Sequence, residues 1–215
     1  MPACRLTGLF FLLLLLSMKA NSLELAVKDR FLQGCLETLA KDHGWVQLKD
    51  VTAIKCHSLD IQSLAGLEQF TGLESLSLYN NRIVKLDVDF ATLKHLTHLN
   101  LARNHLKTVN ISGLLKLKKL YLFDNQLTNV TLSQLPELTE MKANNNKIQR
   151  FIYQGTPKLE KIYIFNNQLE TVDIHHLPSL HYMDCRQNPM PDTLYDEMDK
   201  QENVSYLHDG NAEDW

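Results

Sequence analysis

Cys185, with His181 and Asp184 beside it, is the nearest this chain comes to a nucleophile with a base and an orienting carboxylate. Its phase argues against that chemistry. Alternation along the stretch turns Cys185 inward, as it does Leu122 and Ile164, and turns His181 and Asp184 outward, so the three side chains diverge. A buried cysteine most often serves as a small hydrophobe. The nine histidines show no metal-ligand spacing, and the adjacent His175 and His176 do not suit one shared ligand geometry. The expectation is therefore no enzyme, no metal and no cofactor.

Recognition chemistry is better represented. Tyr121 and Tyr163 lie 21 residues either side of Lys142, and Phe123 and Phe165 lie the same distance either side of Asn144. Tyr79, Tyr182 and Arg186 fall in the same phase. If each 21-residue unit contributes one strand to a sheet, these side chains stand next to one another at about 4.8 Å strand spacing. Soluble monomers rarely leave a large apolar patch in water, and aromatic residues dominate binding hot spots. A competing explanation is that Tyr and Phe suit strands, and that Lys142 between two tyrosines is a self-contained cation–π stack of about 0.5–1 kcal/mol. The expected protein-binding set is Tyr79, Tyr121, Phe123, Lys142, Tyr163, Phe165, Tyr182 and Arg186. Lys119, Glu140 and Lys161 also share one position in three successive units, which reads as a solvated charge ladder or as a polar rim to the aromatic patch.

The elements that must position these residues are repeats. Leu117-x-x-Leu120-x-Leu122-x-x-Asn125-x-Leu127 returns as Leu138-x-x-Met141-x-Ala143-x-x-Asn146-x-Ile148 and as Leu159-x-x-Ile162-x-Ile164-x-x-Asn167-x-Leu169. Coils beginning at Leu73 and Leu96 carry the same pattern, a degenerate one begins at Val51, and the last begins at Leu180, giving seven in all. The apolar alternation suits a short strand, and stacking the units sets these strands parallel and side by side. Asn81, Asn104, Asn125, Asn146, Asn167 and Asn188 come where the chain leaves the strand, where an amide can both donate to and accept from freed backbone groups. Residues such as Leu127, Val130, Leu132 and Leu135 then suit extended or 3₁₀ turns on the far side. Pro136, Pro157 and Pro178 fall just before successive strands, where a missing N–H is tolerated.

The flanks differ from the repeats. Residues 1–22 read as an export signal: Arg5, a run of Leu and Phe up to Leu16, and small residues at Ala20–Ser22. The run is too short to span a bilayer, which takes roughly 17–25 residues. Cleavage near Ser22 would remove Arg5 and Lys19 and no acid, taking the formal net charge of −3 two units lower. An acidic balance disfavours nucleic acid as a partner. No later apolar run would insert the mature chain in a membrane. Residues 23–50 form a helical N-terminal cap, with Leu25, Phe31, Cys35, Leu36 and Leu39 as its apolar face and His43-Gly44 as its stop. The solenoid occupies residues 51–191. Residues 192–215 form a C-terminal cap and tail, with Asp192 capping a helix to about Gln201 and Val204, Tyr206 and Leu207 adding a pairing edge.

Register also constrains the cysteines. Cys56 and Cys185 occupy equivalent places six coils apart, about 29 Å at strand spacing, whereas a disulfide needs Cα atoms within roughly 7 Å. Cys35 lies on the cap above the first strand. Cys35–Cys56 is thus the expected disulfide, the alternative being two reduced, buried thiols. Asn110-Ile111-Ser112, Asn129-Val130-Thr131 and Asn203-Val204-Ser205 match the N-glycosylation acceptor pattern, which matters only in a eukaryotic secretory pathway.

Across residues 51–190 the chain resembles leucine-rich repeat proteins, with short bacterial internalin-like or SDS22-like repeats the nearest match. The resemblance implies an α/β leucine-rich repeat solenoid, with a curved parallel sheet on the concave face, extended or 3₁₀ convex turns and a helical cap at each end. It also implies a non-catalytic module that binds a protein or peptide on its concave sheet, and it points to bacteria. With the leader, it gives a secreted or periplasmic location. Alternatives are an envelope scaffold that self-associates and an enzyme inhibitor or regulator.

Overall fold

The computed structural model describes residues 23–210, so the expected export signal and the last five residues lie outside it. Helix α1 spans Arg30–His43. The strands that follow are β1 (Ala53–Lys55), β2 (Ser75–Ser77), β3 (His98–Asn100), β4 (Thr108–Ser112), β5 (Lys119–Tyr121) and β6 (Asn129–Ser133). They continue with β7 (Glu140–Lys142), β8 (Arg150–Gln154), β9 (Lys161–Tyr163) and β10 (Tyr182–Asp184), then helix α2 (Asp192–Asp199) and β11 (Ser205–Leu207).

Seven coils each give one short strand to a parallel sheet ordered β1-β2-β3-β5-β7-β9-β10, and β11 joins its end as an eighth strand. The register is the one the repeat dictates: Leu120 pairs with Met141 and Met141 with Ile162. The middle residue of each strand is buried while its neighbours face the open, concave side, as a two-residue period requires. Leu76, Leu99, Leu120, Met141, Ile162 and Met183 thus line one continuous core together with Leu78, Leu101, Leu122, Ala143, Ile164 and Cys185.

Two backbone devices turn the chain off each strand. Asn80, Arg103, Asp124, Asn145, Asn166 and Gln187 all hold positive φ, and each directly precedes a ladder asparagine. The ladder asparagine then stitches its own coil to the one before. Asn104 Nδ2 donates to Leu101 O and to Leu78 O of the preceding coil, both at 3.0 Å, while its Oδ1 accepts from Ile83 N–H at 3.0 Å. Asn146 and Asn188 repeat the arrangement.

The convex side holds more regular structure than turns. β4, β6 and β8 form a second parallel sheet beneath coils three to five, with Val109, Ile111, Val130, Leu132 and Phe151 turned inward. The second coil makes a 3₁₀ turn at Phe90–Thr92 instead, capped by the Asp89 carboxylate.

Both ends of the core are covered. α1 buries Leu32 and Leu36 and stops at Gly44 in the left-handed conformation. Leu25 precedes the helix, and Phe31 lies on its exposed side under the Arg30 guanidinium, so neither belongs to the buried helical face that the spacing suggested. Asp29 fixes the start. One carboxylate oxygen accepts from Phe31 and Leu32 N–H, and the other from Gln62 and Ser63 N–H on the first coil. The Cys35–Cys56 disulfide ties α1 to the coil under it. At the far end Tyr195 and Met198 of α2 are buried, and Tyr195 Oη donates to Asn188 O at 3.0 Å. Asp192 is the first helical residue, not the cap, and the helix ends at Asp199.

Candidate protein-binding surface

The concave strands bring the expected residues together in two groups. In the first, Lys142 Nζ stands 5.2 Å from the Tyr121 ring centre and 4.8 Å from that of Tyr163. The same ammonium lies 3.2 Å from Glu140 Oε1, on its own strand. Tyr182 continues the row, its ring centre 5.2 Å from that of Tyr163. Partial burial, then the charge of and hydrogen bond to Glu140, push the Tyr121 hydroxyl up to about 12, so it stays a neutral donor throughout the physiological range. Glu140 is thus drawn into the aromatic group through Lys142 and Tyr121, where strand register alone had suggested a ladder with Lys119 and Lys161.

In the second group, the Tyr79 and Phe123 rings approach to 6.4 Å from the strands on either side of Ala102, which is fully buried. His57 meets the edge of Tyr79 at 5.6 Å and shares a 2.7 Å hydrogen bond with Ser77 Oγ. Burial, with Lys55 nearby, holds the His57 pKa below the usual histidine value. Arg103 lies 5.6 Å from the centre of the Tyr79 ring and is held at 3.1 Å by Asp124. His57, Arg103 and Asp124 were not among the residues expected from sequence. Arg103 and Asp124 sit one residue past the alternating positions, where positive φ swings the side chain back toward the sheet face.

Phe165 and Arg186 border a cleft of about 340 Å³ with Gln187 and Asp209. Among the described residues Phe165 has no ring or cation partner, so its half-exposed face is free. Arg186 is held by both oxygens of Asp184, at 2.9 and 2.7 Å. Alternation points Asp184 to solvent, yet it is only 3% exposed, because Arg186 closes over it and β11 flanks it. Cys185, inward as expected, has its thiol pushed up to about 12 by burial and then by the charges of Asp184 and Asp209. That is the opposite of an activated nucleophile. Among the described residues no group of three or more His, Cys, Asp or Glu could hold a metal, and no helix is long and apolar enough to cross a membrane.

The fold is a leucine-rich repeat solenoid: residues 71–127 match the leucine rich repeat family, and the strand-per-coil stack carries the pattern on either side. No curated protein matches it. Among solved structures it is similar to the leucine-rich repeat domain of APL1B, with 20% identity, a TM-score of 0.52, and coverage of 71% of this chain and 54% of that one. It is similar also to TLR13 in its complex with ssRNA13, with 27% identity, a TM-score of 0.50, and coverage of 60% of this chain and 20% of that one. Similarity to the functional domain of InlJ from Listeria monocytogenes is looser, with 22% identity, a TM-score of 0.38, and coverage of 67% of this chain and 46% of that one. The chain thus spans less than half the length of the InlJ domain and one fifth of TLR13.

Proposed function

We propose that this chain is a secreted or periplasmic, non-catalytic module that takes a protein or peptide ligand on its concave aromatic face. The supporting observation is the state of the aromatic side chains. Tyr79, Tyr121, Phe123, Tyr163, Phe165 and Tyr182 are all half-exposed on one sheet face, and among the described residues the Phe165 ring has no ring or cation partner. Tyr121, Tyr163 and Lys142 hold one another in place, so little side-chain freedom is left to lose on binding. Export fits the Cys35–Cys56 disulfide, which persists in oxidising compartments. The acidic balance of the chain disfavours nucleic acid as the ligand.

The test compares the wild type with Phe123→Ser/Phe165→Ser in capture from secreted and envelope fractions, followed by affinity measurement on the ligand found. Each aromatic at the centre of an interface contributes about 2 kcal/mol or more, so a loss of at least about 100-fold is expected with unchanged circular dichroism. Equal affinity in a folded double variant would remove this site. A molecular mass that rises with concentration in the wild type alone would identify the ligand as a second copy of the chain.

A further inference from the structure

Near its C-terminal end the concave face leaves one place unfilled. Phe165, Arg186 and Asp209 each lie two residues past Tyr163, Asp184 and Leu207, which are paired across β9, β10 and β11. At about 4.8 Å per strand, register sets Arg186 between the Phe165 ring and the Asp209 carboxylate, as it sets Lys142 between Tyr121 and Tyr163. Lys142 stays between its two rings, but Arg186 is drawn back along its own strand. Asp184 accepts from its Nε at 2.9 Å and from its Nη2 at 2.7 Å, and among the described residues no cation lies over the Phe165 ring. What remains is a cleft of about 340 Å³ lined by Phe165, Arg186, Gln187 and Asp209. Asp209 spends one carboxylate oxygen, Oδ2, on the Gln187 N–H, in the way that Arg186 O accepts from Asn166 N–H one coil earlier. Among the described residues its Oδ1 accepts no hydrogen bond.

We propose that this cleft receives a basic side chain, lysine or arginine, of the ligand taken by the concave face. The inference rests on that reading of the face and adds to it the class of residue the ligand must present. Charge favours a cation. Arg186 and Asp184 neutralise one another, as do Lys142 and Glu140 on the neighbouring coil at 3.2 Å, so Asp209 is the uncompensated charge lining the cleft. The face of an aromatic ring is electrostatically negative and attracts an ammonium or guanidinium group. A cation seated here meets the Phe165 ring on one side and Asp209 Oδ1 on the other, and so fills the place that Lys142 fills within the chain one group earlier. The other ligand chemistries fit worse. A carboxylate would face Asp209 at close quarters, and an apolar side chain would strip water from Oδ1 without replacing its hydrogen bond.

The test reads the cleft directly, with blocked amino acids as probes. The isotope-labelled chain is titrated at millimolar concentrations with N-acetylarginine amide and N-acetyllysine amide, and in parallel with N-acetylnorleucine amide and N-acetylglutamate amide, while backbone amide resonances are followed. The expected result is a saturable shift at Phe165, Arg186 and Gln187 with the basic probes and none with the other two. Asp209→Asn keeps an acceptor for the Gln187 N–H, and Phe165→Leu keeps the apolar wall, so both variants retain the fold. Each is expected to weaken the basic probes about two- to fivefold. No shift with either basic probe overturns the proposal, as does equal binding in both variants. An equal response to norleucine overturns it in favour of an apolar cleft, and a stronger response to glutamate overturns it in favour of an anion site at Arg186. The titration needs no protein ligand, so its failure removes only the basic residue from the reading above, whereas failure of the Phe123/Phe165 comparison removes the ligand itself.

Discussion

At the scale of single residues, asparagine is the residue this molecule depends on most. Each ladder amide satisfies backbone groups that two successive coils leave buried at the bend. Asn104→Ala orphans the N–H of Ile83 in a site that is 4% exposed, and it takes one of two amide donors from each of the Leu78 and Leu101 carbonyls, which keep Asn81 and Asn125. A buried unsatisfied group costs about 1–3 kcal/mol and each of the two lost carbonyl bonds about 0.5–1.5 kcal/mol, reduced where the coil relaxes, so a total loss of about 2–4 kcal/mol is expected. It would be measured as a lower urea midpoint at unchanged slope. The ladder was legible in the sequence because the repeat fixes its phase. The fate of Asp184 was not. Alternation carries no information about a neighbour two residues along, and it is the Arg186 fork that covers Asp184. The same blindness hid Arg103, whose positive φ breaks the alternation that located Tyr121 and Phe123.

At the scale of elements, the N-terminal cap is held by one carboxylate and one disulfide. Partial burial raises the Asp29 pKa, but N–H donors from Gln62, Leu32, Phe31 and Ser63 outweigh it and leave the pKa below the usual aspartate value. The sign follows. The ionised form is favoured in the fold, so its stabilisation is complete above the unfolded-state pKa of about 3.9 and is lost as pH falls through the lower folded value. Asp29→Ala is expected to cost about 1–2 kcal/mol from neutral pH down to about pH 5, with the gap to wild type narrowing under further acidification. Chemical denaturation across that range checks it. Cys35→Ala/Cys56→Ala releases a cross-link between residues 21 apart and is expected to cost about 3 kcal/mol, measured the same way. Sequence located this cap but misassigned its face. Spacing alone cannot tell that Asp29 starts the helix after Leu25, or that Phe31 lies one step round from Leu32. The convex sheet was missed for a related reason. Spacing of three from Leu127 to Val130 reads as a turn, and only the shorter Val130-x-Leu132 and Val109-x-Ile111 alternations carry the strand signal.

At the scale of the whole molecule, a solenoid is a one-dimensional stack in which each coil is stabilised by its neighbours and the ends are the weak points. Coils three to five are tied by two sheets, whereas the C-terminal coils rely on the main sheet and on α2. Met198 is fully buried there, with its sulfur 3.9 Å from Cys185 Sγ. Cys185 is therefore a built-in reporter of opening at this end, since burial keeps its thiol protonated and out of reach at neutral pH. Met198→Asp places an unpaired carboxylate against that core. Such a group costs several kcal/mol, and about 1.4 kcal/mol is a factor of ten, so alkylation of Cys185 should speed up at least about tenfold. Nearest-neighbour coupling requires the disturbance to fade along the stack. Amide exchange should accelerate at Met183, less at Ile162, and not at Leu76 in the second coil. Equal acceleration at Leu76 and Met183 would mean that the seven coils and both caps open as one unit, and the end-fraying account of this chain would fall.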